Sequence, residues 1–295
     1  MNRPTGTLYV VSTTLGNRED LSPRAAALLR SARVIAAEDT RTARRLLAEL
    51  GAEGEKVPGE RRIISCFDAN EGERAGELAG VLRAGDDVVL VSEAGTPLVS
   101  DPGYRVVSEA IAAGARVVPV PGPSAVLAAL VAAGLPTDRF VFLGFPARKT
   151  GARRRLFDSV RALPFTLVLY ESPLRPGATL ADLAAVLGEG RAACVARELT
   201  KEHEEIVRGT LGQLAARYRD HRPLGEVTLV VSGAEATSDD TDDDELAARA
   251  DALLSRGLSA RDAADTLAAE TGRPRRAIYA LVMARRVGAT PGDDD

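Results

Sequence analysis

The chain has 295 residues, of which 45% are hydrophobic and 27% charged, and 38 basic against 42 acidic residues give it a net charge of −4. This composition is typical of a globular protein long enough for two domains, and it contains neither a bilayer-length apolar stretch nor an apolar signal segment. Two cysteines and two histidines are too few for the usual zinc sites, so we expect no metal. We expect both cysteines to be reduced thiols in a cytoplasmic protein. The lack of a long apolar stretch predicts no membrane association.

Short apolar strands alternate with amphipathic helices over the first 136 residues. The predicted strands are 8–11, 34–37, 63–64, 88–91 and 117–118. The predicted helices begin at Ser22-Pro23 and cover 40–50, 71–83 and 104–113. Because this alternation is typical of a mostly parallel α/β sheet, we predict an N-terminal α/β domain of residues 1–136.

Strands outnumber helices in the next hundred residues. The predicted strands are 140–143, 165–170, 193–196, 205–208 and 227–231, with helices near 151–162, 177–187 and 211–219. Consecutive strands without an intervening helix favour hairpins. We therefore predict a second α/β domain with a mixed sheet over residues 137–233.

The C-terminal part begins with an acidic stretch, residues 234–245, which has little to bury and is predicted to be a linker. Residues 246–287 are predicted to form a helical module in which Ser259 caps one helix, Gly272 ends it and Pro274 precedes the last. This module has eight arginines against four acidic residues, and residues 288–295 are predicted to be a disordered tail. Two helices joined by a short glycine turn resemble a helix-turn-helix, and the pattern fits equally an amphipathic hairpin with a solvated charged face.

Several common enzyme motifs are missing. There is no G-x-x-x-x-G-K-[ST], no G-x-G-x-x-G after the first strand and no G-x-S-x-G. These absences argue against a P-loop nucleotidase, a dinucleotide-binding Rossmann enzyme and a serine hydrolase. We interpret both histidines, His203 and His221, as surface residues.

Three loops rich in glycine, proline and serine follow predicted strands, at residues 92–103, 119–125 and 170–173. Ligands of open α/β sheets bind beyond the carboxyl ends of strands. Glycine allows close backbone approach, and proline fixes the shape of a loop before a ligand arrives. Each loop alone is more often a structural turn, but together they predict a ligand cleft between the two domains.

Charged clusters form a second group of candidates. Residues 38–41 and 197–202 lie at strand ends, although either cluster also fits a helix cap or a salt-bridged surface. Residues 148–155 contain five basic side chains. That density suits phosphate binding, although a solvated surface is the usual role of such a run.

Taken in order, residues 8–17, 37–41, 92–103, 121–125, 170–173 and 197–201 resemble the tetrapyrrole (corrin/porphyrin) methylase family, and the third and last of these resemble its ribosomal RNA-methylating branch. The resemblance covers residues 7–233 and, in outline, the helical tail. It implies two α/β domains with S-adenosylmethionine in the cleft between them, and a homodimer. It also implies methyl transfer to the ribose 2′-hydroxyl of a cytidine in small-subunit (16S) ribosomal RNA, presented in an assembled or partly assembled subunit.

The resemblance also assigns candidate site residues. The expected cofactor-binding residues are Leu15, Gly95, Thr96, Val99, Ser124, Ala125 and Tyr170. The candidate catalytic residues, expected to face the cleft from strand ends, are Glu171, Glu198 and Lys201. Lys201 needs a lowered pKa to act as a base, and otherwise it would pair with a phosphate or stabilise a developing alkoxide. The expected RNA-binding residues are Arg153, Arg154, Arg155, Arg273, Arg275 and Arg276.

Two alternatives remain at this point. A tetrapyrrole C-methyltransferase would share the fold and the cofactor but would have no use for an arginine-rich tail. A non-catalytic ribosome-binding factor would keep the fold without binding S-adenosylmethionine.

Overall fold

The computed structural model describes residues 4–52, 57, 59–220, 225–234 and 243–288, with the backbone only at 243 and 286–288. The chain divides into two compact units, one ending at Gly233 and the other beginning at Ala234. None of the helices in the described residues is both long and apolar enough to cross a membrane.

The first unit begins with a parallel sheet of five strands in the order β3-β2-β4-β1-β5. The strands are β1 (Thr7–Val11), β2 (Val34–Ala37), β3 (Arg62–Ser65), β4 (Val88–Val91) and β5 (Arg116–Val120). The helices that follow them are α1 (Pro23–Ser31), α2 (Thr40–Glu49), α3 (Glu71–Arg83), α4 (Tyr104–Ala112) and α5 (Ala125–Ala133). The parallel arrangement agrees with the sequence prediction, because a helix connects successive strands and returns the chain to the same sheet end.

Local sequence explains several boundaries in this part. The Ser22 hydroxyl accepts a hydrogen bond from the N–H of Ala25 at the start of α1, and the Asp39 carboxylate does the same for Arg41 in α2. Strand β5 continues through Pro119, two residues beyond the predicted end. A proline is tolerated there because β5 lies at an edge of the sheet.

The second sheet is mixed, as predicted, with the strand order β6-β7-β10-β8-β9. Its strands are β6 (Phe140–Phe142), β7 (Thr166–Glu171), β8 (Ala192–Arg197), β9 (Glu205–Thr210) and β10 (Val227–Val231), and only β6 and β7 pair in parallel. Helices α6 (Thr150–Ser159), α7 (Pro176–Leu187) and α8 (Leu211–Arg217) cover one face through a core that includes Phe157, Leu183 and Leu214.

Helix α5 covers the opposite face of this second sheet. Its Ala129 and Leu130 pack in one buried cluster with Val168 of β7, Cys194 of β8 and Val230 of β10. The chain thus leaves the first sheet at β5 and immediately packs against the second. This connection places the loop before α5 beside both sheets. We call residues up to 124 the first lobe and residues 125–233 the second lobe.

The described residues of the C-terminal unit form three helices, α9 (Asp243–Ser255), α10 (Ala260–Thr271) and α11 (Arg275–Gly288). They share a small core that includes Leu246, Leu267 and Val282. Ser259 caps α10, and Gly272 ends it with a φ of 64°. The predicted linker lies outside the described residues except at 234 and 243–245, and the predicted tail lies outside them after 288.

Candidate active site

A cavity of about 380 Å³ opens between the two lobes, within the range of small-molecule sites. The first lobe contributes residues that follow the carboxyl ends of β1, β2 and β4, where ligands of parallel sheets bind. The lining residues of the first lobe are Leu15, Glu38, Glu93, Ala94, Gly95, Thr96, Val99, Ser100 and Asp101. Those of the second lobe are Ala125, Phe145, Tyr170, Glu171, Ser172, Pro173, Glu226, Val227 and Thr228.

Six of the seven predicted cofactor-binding residues line this cavity, namely Leu15, Gly95, Thr96, Val99, Ala125 and Tyr170. The seventh, Ser124, does not line it and occupies the N-cap position of α5. Three acidic residues of the first lobe were not named as site residues from the sequence: Glu38, Glu93 and Asp101. Glu38 belongs to the charged cluster 38–41, and Glu93 and Asp101 belong to the loop 92–103. The charge of the first segment and the glycine and proline content of the second were the features of the sequence that could have identified these residues.

Gly95 and Thr96 tie the loops of the first lobe together. The N–H of Thr13 donates to the Gly95 carbonyl at 2.8 Å, and the Thr96 hydroxyl bonds to Ser12 Oγ at 3.1 Å and to the Pro123 carbonyl at 3.0 Å. Gly95 has a φ of 73°, and a Cβ there would lie 3.1 Å from the Leu15 side chain. Glycine is therefore favoured at position 95, because it adopts this positive φ without strain and because the Leu15 side chain leaves little space for a Cβ.

Backbone strain is concentrated in two loops. Among the described residues, the non-glycine residues with positive φ are Leu98 (72°), Ser100 (66°), Glu198 (48°) and Thr200 (66°). Both loops belong to segments that carry the family resemblance. Such conformations cost about 1–3 kcal/mol each and cluster at functional sites, where the surrounding structure enforces them.

Acidic side chains of the first lobe have raised pKa values. Burial raises the pKa of Asp101 to about 6, the Ser92 hydroxyl lowers it, and the negative charge of Glu93 adds to the rise. Burial raises the pKa of Glu38 to about 7, with further contributions from Asp101 and Glu93. A carboxylate whose pKa lies near the working pH is suited to accept a proton during catalysis.

Glu171, which the sequence proposed as a base, lines the cavity but has no free carboxylate oxygen. Its Oε1 accepts hydrogen bonds from the N–H of Ser172 and from Arg175 Nη2, both at 2.7 Å, and its Oε2 accepts one from the Thr179 hydroxyl. The side chain is fully buried. These contacts engage the carboxylate in holding the start of α7, which argues against Glu171 as the catalytic base.

Glu198 and Lys201 lie beside the cavity and contact it through Glu226. Glu198 Oε1 accepts from Lys201 Nζ at 2.8 Å and from the N–H of Glu226 at 3.0 Å, while Lys201 Nζ lies 3.4 Å from Glu226 Oε2. Burial disfavours the charged forms of both Glu198 and Lys201. The hydrogen bonds and the opposite charges between these groups have a larger effect, so the pKa of Glu198 is lowered and the pKa of Lys201 is raised.

The raised pKa of Lys201 removes it as a base, because a base at this position requires a lowered pKa. The remaining role, as a cation facing a phosphate or a developing alkoxide, is compatible with its position. Glu198 with a lowered pKa is a weaker proton acceptor than Asp101.

The predicted RNA-binding run 153–155 divides into buried and exposed residues. Arg153 is 3% exposed, and its guanidinium pairs with Asp182 and donates to the carbonyls of Ala147 (3.4 Å) and Arg148 (3.2 Å). The prediction that Arg153 contacts RNA is therefore wrong, since a phosphate has no access to it. Arg154 is exposed and donates to Asp182 at 2.7 Å, and Arg155 is exposed.

The three arginines predicted in the C-terminal unit differ in their surroundings. Arg275 pairs with Asp265 of α10, Arg276 is exposed and Arg273 is half-buried. An arginine already paired at the surface still reaches a phosphate, because exposed ion pairs are weak and easily exchanged.

The profile of the family described as Tetrapyrrole (Corrin/Porphyrin) Methylases matches residues 7–215. The chain is 45% identical to "Ribosomal RNA small subunit methyltransferase I" of Micromonospora olivasterospora over 280 residues, which cover 94% of this chain and 86% of the relative. It is 42% identical to the protein of the same name from Mesorhizobium japonicum, covering 97% and 94% of the two chains, and 42% identical to that from Mycobacterium tuberculosis, covering 95% and 96%.

Solved structures show the same fold. The methyltransferase CobJ aligns with a TM-score of 0.57 at 22% identity and covers 78% of this chain and 95% of its own. Uroporphyrin-III C-methyltransferase from Thermus thermophilus, complexed with S-adenosylhomocysteine, aligns with a TM-score of 0.52 at 24% identity, covering 76% and 97%. These likenesses show the fold alone.

Proposed function

Because the chain belongs to the tetrapyrrole (corrin/porphyrin) methylase family, and within it to the proteins named ribosomal RNA small subunit methyltransferase I, we propose that it methylates the ribose 2′-hydroxyl of a cytidine in small-subunit (16S) ribosomal RNA. The methyl donor is S-adenosylmethionine. The observation that carries the proposal is the cavity between the lobes, which loops of both lobes enclose with apolar, aromatic and acidic walls.

The residues of this cavity fit the donor. Leu15, Val99 and Tyr170 offer apolar and aromatic surface for an adenosine, and Gly95 allows close approach of the backbone. The carboxylates of Glu38 and Asp101 suit a cationic group. Bound S-adenosylmethionine supplies the electrophilic methyl group. We assign its binding to Leu15, Gly95, Thr96, Val99, Ser124, Ala125 and Tyr170, with Ser124 acting through the N-terminus of α5.

Asp101 takes the place of Glu171 as the proposed general base. A ribose hydroxyl is a poor nucleophile until its proton is removed, and a positioned base typically contributes about 10²–10⁴-fold. Asp101 lines the cavity and has a pKa of about 6, so it is ionised at neutral pH and still close enough in basicity to accept a proton. Lys201, oriented by Glu198, is proposed to stabilise negative charge on the reacting oxygen or on a neighbouring phosphate.

The RNA is proposed to bind through exposed arginines, namely Arg154, Arg155, Arg273, Arg275 and Arg276. The target nucleotide has to be splayed out of its helix to reach an enclosed donor, which favours an assembled or partly assembled subunit as substrate. With ribosomal RNA as its substrate, the enzyme is expected to act in the cytoplasm.

A homodimer is supported by large exposed apolar side chains on two helices. Leu127 (51% exposed) and Val131 (74% exposed) lie four residues apart on one face of α5, and Tyr104 and Ile111 of α4 are also exposed. Apolar side chains that share an exposed helix face are typical of protein interfaces. Sedimentation of the wild type and of Val131→Glu measures this directly, and we expect the variant to shift toward the monomer.

The test of the function is methyl transfer from isotope-labelled donor, with small ribosomal subunits from cells lacking the protein as acceptor. We expect label in 16S RNA as 2′-O-methylcytidine by mass mapping, and labelling about 10²–10⁴-fold slower with Asp101→Asn. Label in a tetrapyrrole precursor instead of RNA would favour the C-methyltransferase. A calorimetric titration with S-adenosylmethionine that shows no binding would favour the non-catalytic factor.

A further inference from the structure

A second concavity of about 630 Å³ opens beside the cavity and shares Phe145 and Ser172 with it. We call it the flanking pocket, and its other lining residues are 146–148, Leu174 and Arg175. It lies entirely in the second lobe. None of the expectations drawn from the family loops concerns it.

The apolar part of the flanking pocket is an aromatic wall with an exposed face. Phe145 is 58% exposed, and its ring centre lies 5.4 Å from that of Tyr170, which in turn packs edge-on against Phe142 at 4.9 Å. Leu174, at 68% exposed, is the second large apolar side chain of the pocket. A supported aromatic ring that leaves one side open is the platform on which unpaired RNA bases stack.

The polar part of the pocket is basic. Arg148 is exposed, and its side chain forms no ion pair or hydrogen bond within the part of the chain that the structure describes. Arg175 Nη2 is bonded to Glu171, whereas its Nη1 is buried and has no acceptor among the described residues. The Arg175 side chain as a whole is 23% exposed and lines the pocket, so its positive charge is accessible to a phosphate there.

Two ion pairs, one fully buried and one partly exposed at Arg175, hold these groups in place. The guanidinium of Arg153, anchored on Asp182, donates to the carbonyls of residues 147 and 148, and so fixes the backbone that carries Arg148. Glu171 fixes Ser172 and Arg175 on the other side. Buried ion pairs add little net stability, so their effect here is to keep the pocket preformed, which lowers the entropic cost of binding.

We propose that the flanking pocket binds the nucleotide adjacent to the methylated one, with its base stacked on Phe145 and its phosphate held by Arg148 and Arg175. The inference rests on the proposed function, since it extends the same RNA substrate by one nucleotide. Its position beside the cavity, with Phe145 as a shared wall, places the two nucleotides in neighbouring sites.

The test uses the full chain and two readouts: the KM for small ribosomal subunits, and filter binding of those subunits across a series of salt concentrations. Arg148→Ala is expected to raise KM about tenfold and to flatten the salt dependence by about one phosphate contact. Its affinity for S-adenosylmethionine is expected to remain unchanged, because Arg148 does not line the cavity. Arg83→Ala, which removes an exposed arginine of the first lobe, is the matched control.

The aromatic contact is tested separately. Phe145→Ala is expected to raise KM about tenfold, and Phe145→Tyr is expected to restore it, because a ring is enough for stacking. An Arg148→Ala variant with unchanged KM and salt dependence overturns the proposal, as does wild-type protein that binds no subunits. A different result would separate the two proposals: wild-type protein that binds subunits without methylating them, and weaker binding by Arg148→Ala and Phe145→Ala. That result would contradict the proposed reaction and support RNA binding by the flanking pocket.

Discussion

The first lobe supplies three carboxylates to the cavity wall, whereas the second lobe supplies both aromatic rings and, in the flanking pocket, arginines. The carboxylates of Glu38 and Asp101 have raised pKa values, so the first lobe is equipped to accept protons. The second lobe adds Glu171 and Glu226, but Arg175 pairs with the first and Lys201 with the second. We infer from this difference that proton removal depends on the first lobe and RNA recognition on the second, so mutations should affect the two functions separately.

Asp101→Asn is expected to have the largest effect. It should reduce kcat by about 10²–10⁴-fold, because the 2′-hydroxyl then loses its general base. The KM for small subunits should stay within a factor of two, since the second lobe is intact. Methylation kinetics check this, with Asp138→Asn, an exposed carboxylate, as the control. Full activity of Asp101→Asn would contradict the division between the lobes.

Breaking the buried pair of the second lobe should mainly cost stability. Asp182→Ala leaves the Arg153 guanidinium buried without its partner, which we expect to lower the free energy of unfolding by about 3–5 kcal/mol. Replacing both residues, with Arg153→Met and Asp182→Leu, should restore much of the loss. Denaturant unfolding measures both variants, and a loss below about 1 kcal/mol for Asp182→Ala would show that the pair does not hold this lobe.

Gly95→Ala should weaken cofactor binding without touching the second lobe. The new Cβ would lie 3.1 Å from Leu15 in a backbone with a φ of 73°, and the left-handed conformation costs about 1–2 kcal/mol for other residues. We expect an affinity for S-adenosylmethionine about tenfold lower by calorimetry. Gly76→Ala, in α3, is the control, since a Cβ there meets nothing within 4 Å.

The raised pKa values predict opposite pH trends for activity and stability. Activity should rise with pH through about 6, where Asp101 loses its proton. Between pH 4.5 and about 7 the folded state keeps a proton on Glu38 that the unfolded state has lost. The stabilisation from protonated Glu38 is therefore fully present below its unfolded pKa of 4.5 and is lost as pH rises through about 7. Thermal unfolding at pH 8 should therefore show Glu38→Gln more stable than the wild type, and a less stable variant would contradict this.

The surface ion pairs of Glu77 in the first lobe should matter least. Glu77 lies 2.8 Å from Arg62 and 2.6 Å from Arg74, and the side chains of Glu77, Arg62 and Arg74 are 31%, 50% and 34% exposed. Glu77→Gln is expected to change the free energy of unfolding by less than about 1 kcal/mol and to leave the kinetics unchanged, because solvent screens such pairs. A change in kcat or KM for Glu77→Gln would contradict this, because it would show that a carboxylate of the first lobe outside the cavity also affects the reaction.

Helices and strands were predictable because hydrophobic periodicity and end signals are local. The mostly β-branched run 88–91 predicts a strand and forms β4. The pair Ser22-Pro23 predicts a helix start, and α1 begins there. The loop 92–103, predicted from its glycine and proline content to face a ligand cleft, lines the cavity between the lobes. The same reasoning failed for 153–155, since a run of three arginines on a helix does not reveal which one points inward.

Local residue patterns were enough to predict the alternation of elements, the mixed character of the second sheet and the loops that enclose the cavity. They could not show that α5 packs on the second sheet, that the Glu171 carboxylate is bonded to the start of α7, or that Arg153 is buried against Asp182. These outcomes depend on partners distant in sequence, and desolvation, which gives Asp101 its raised pKa, is a property of the folded surroundings and of no single residue.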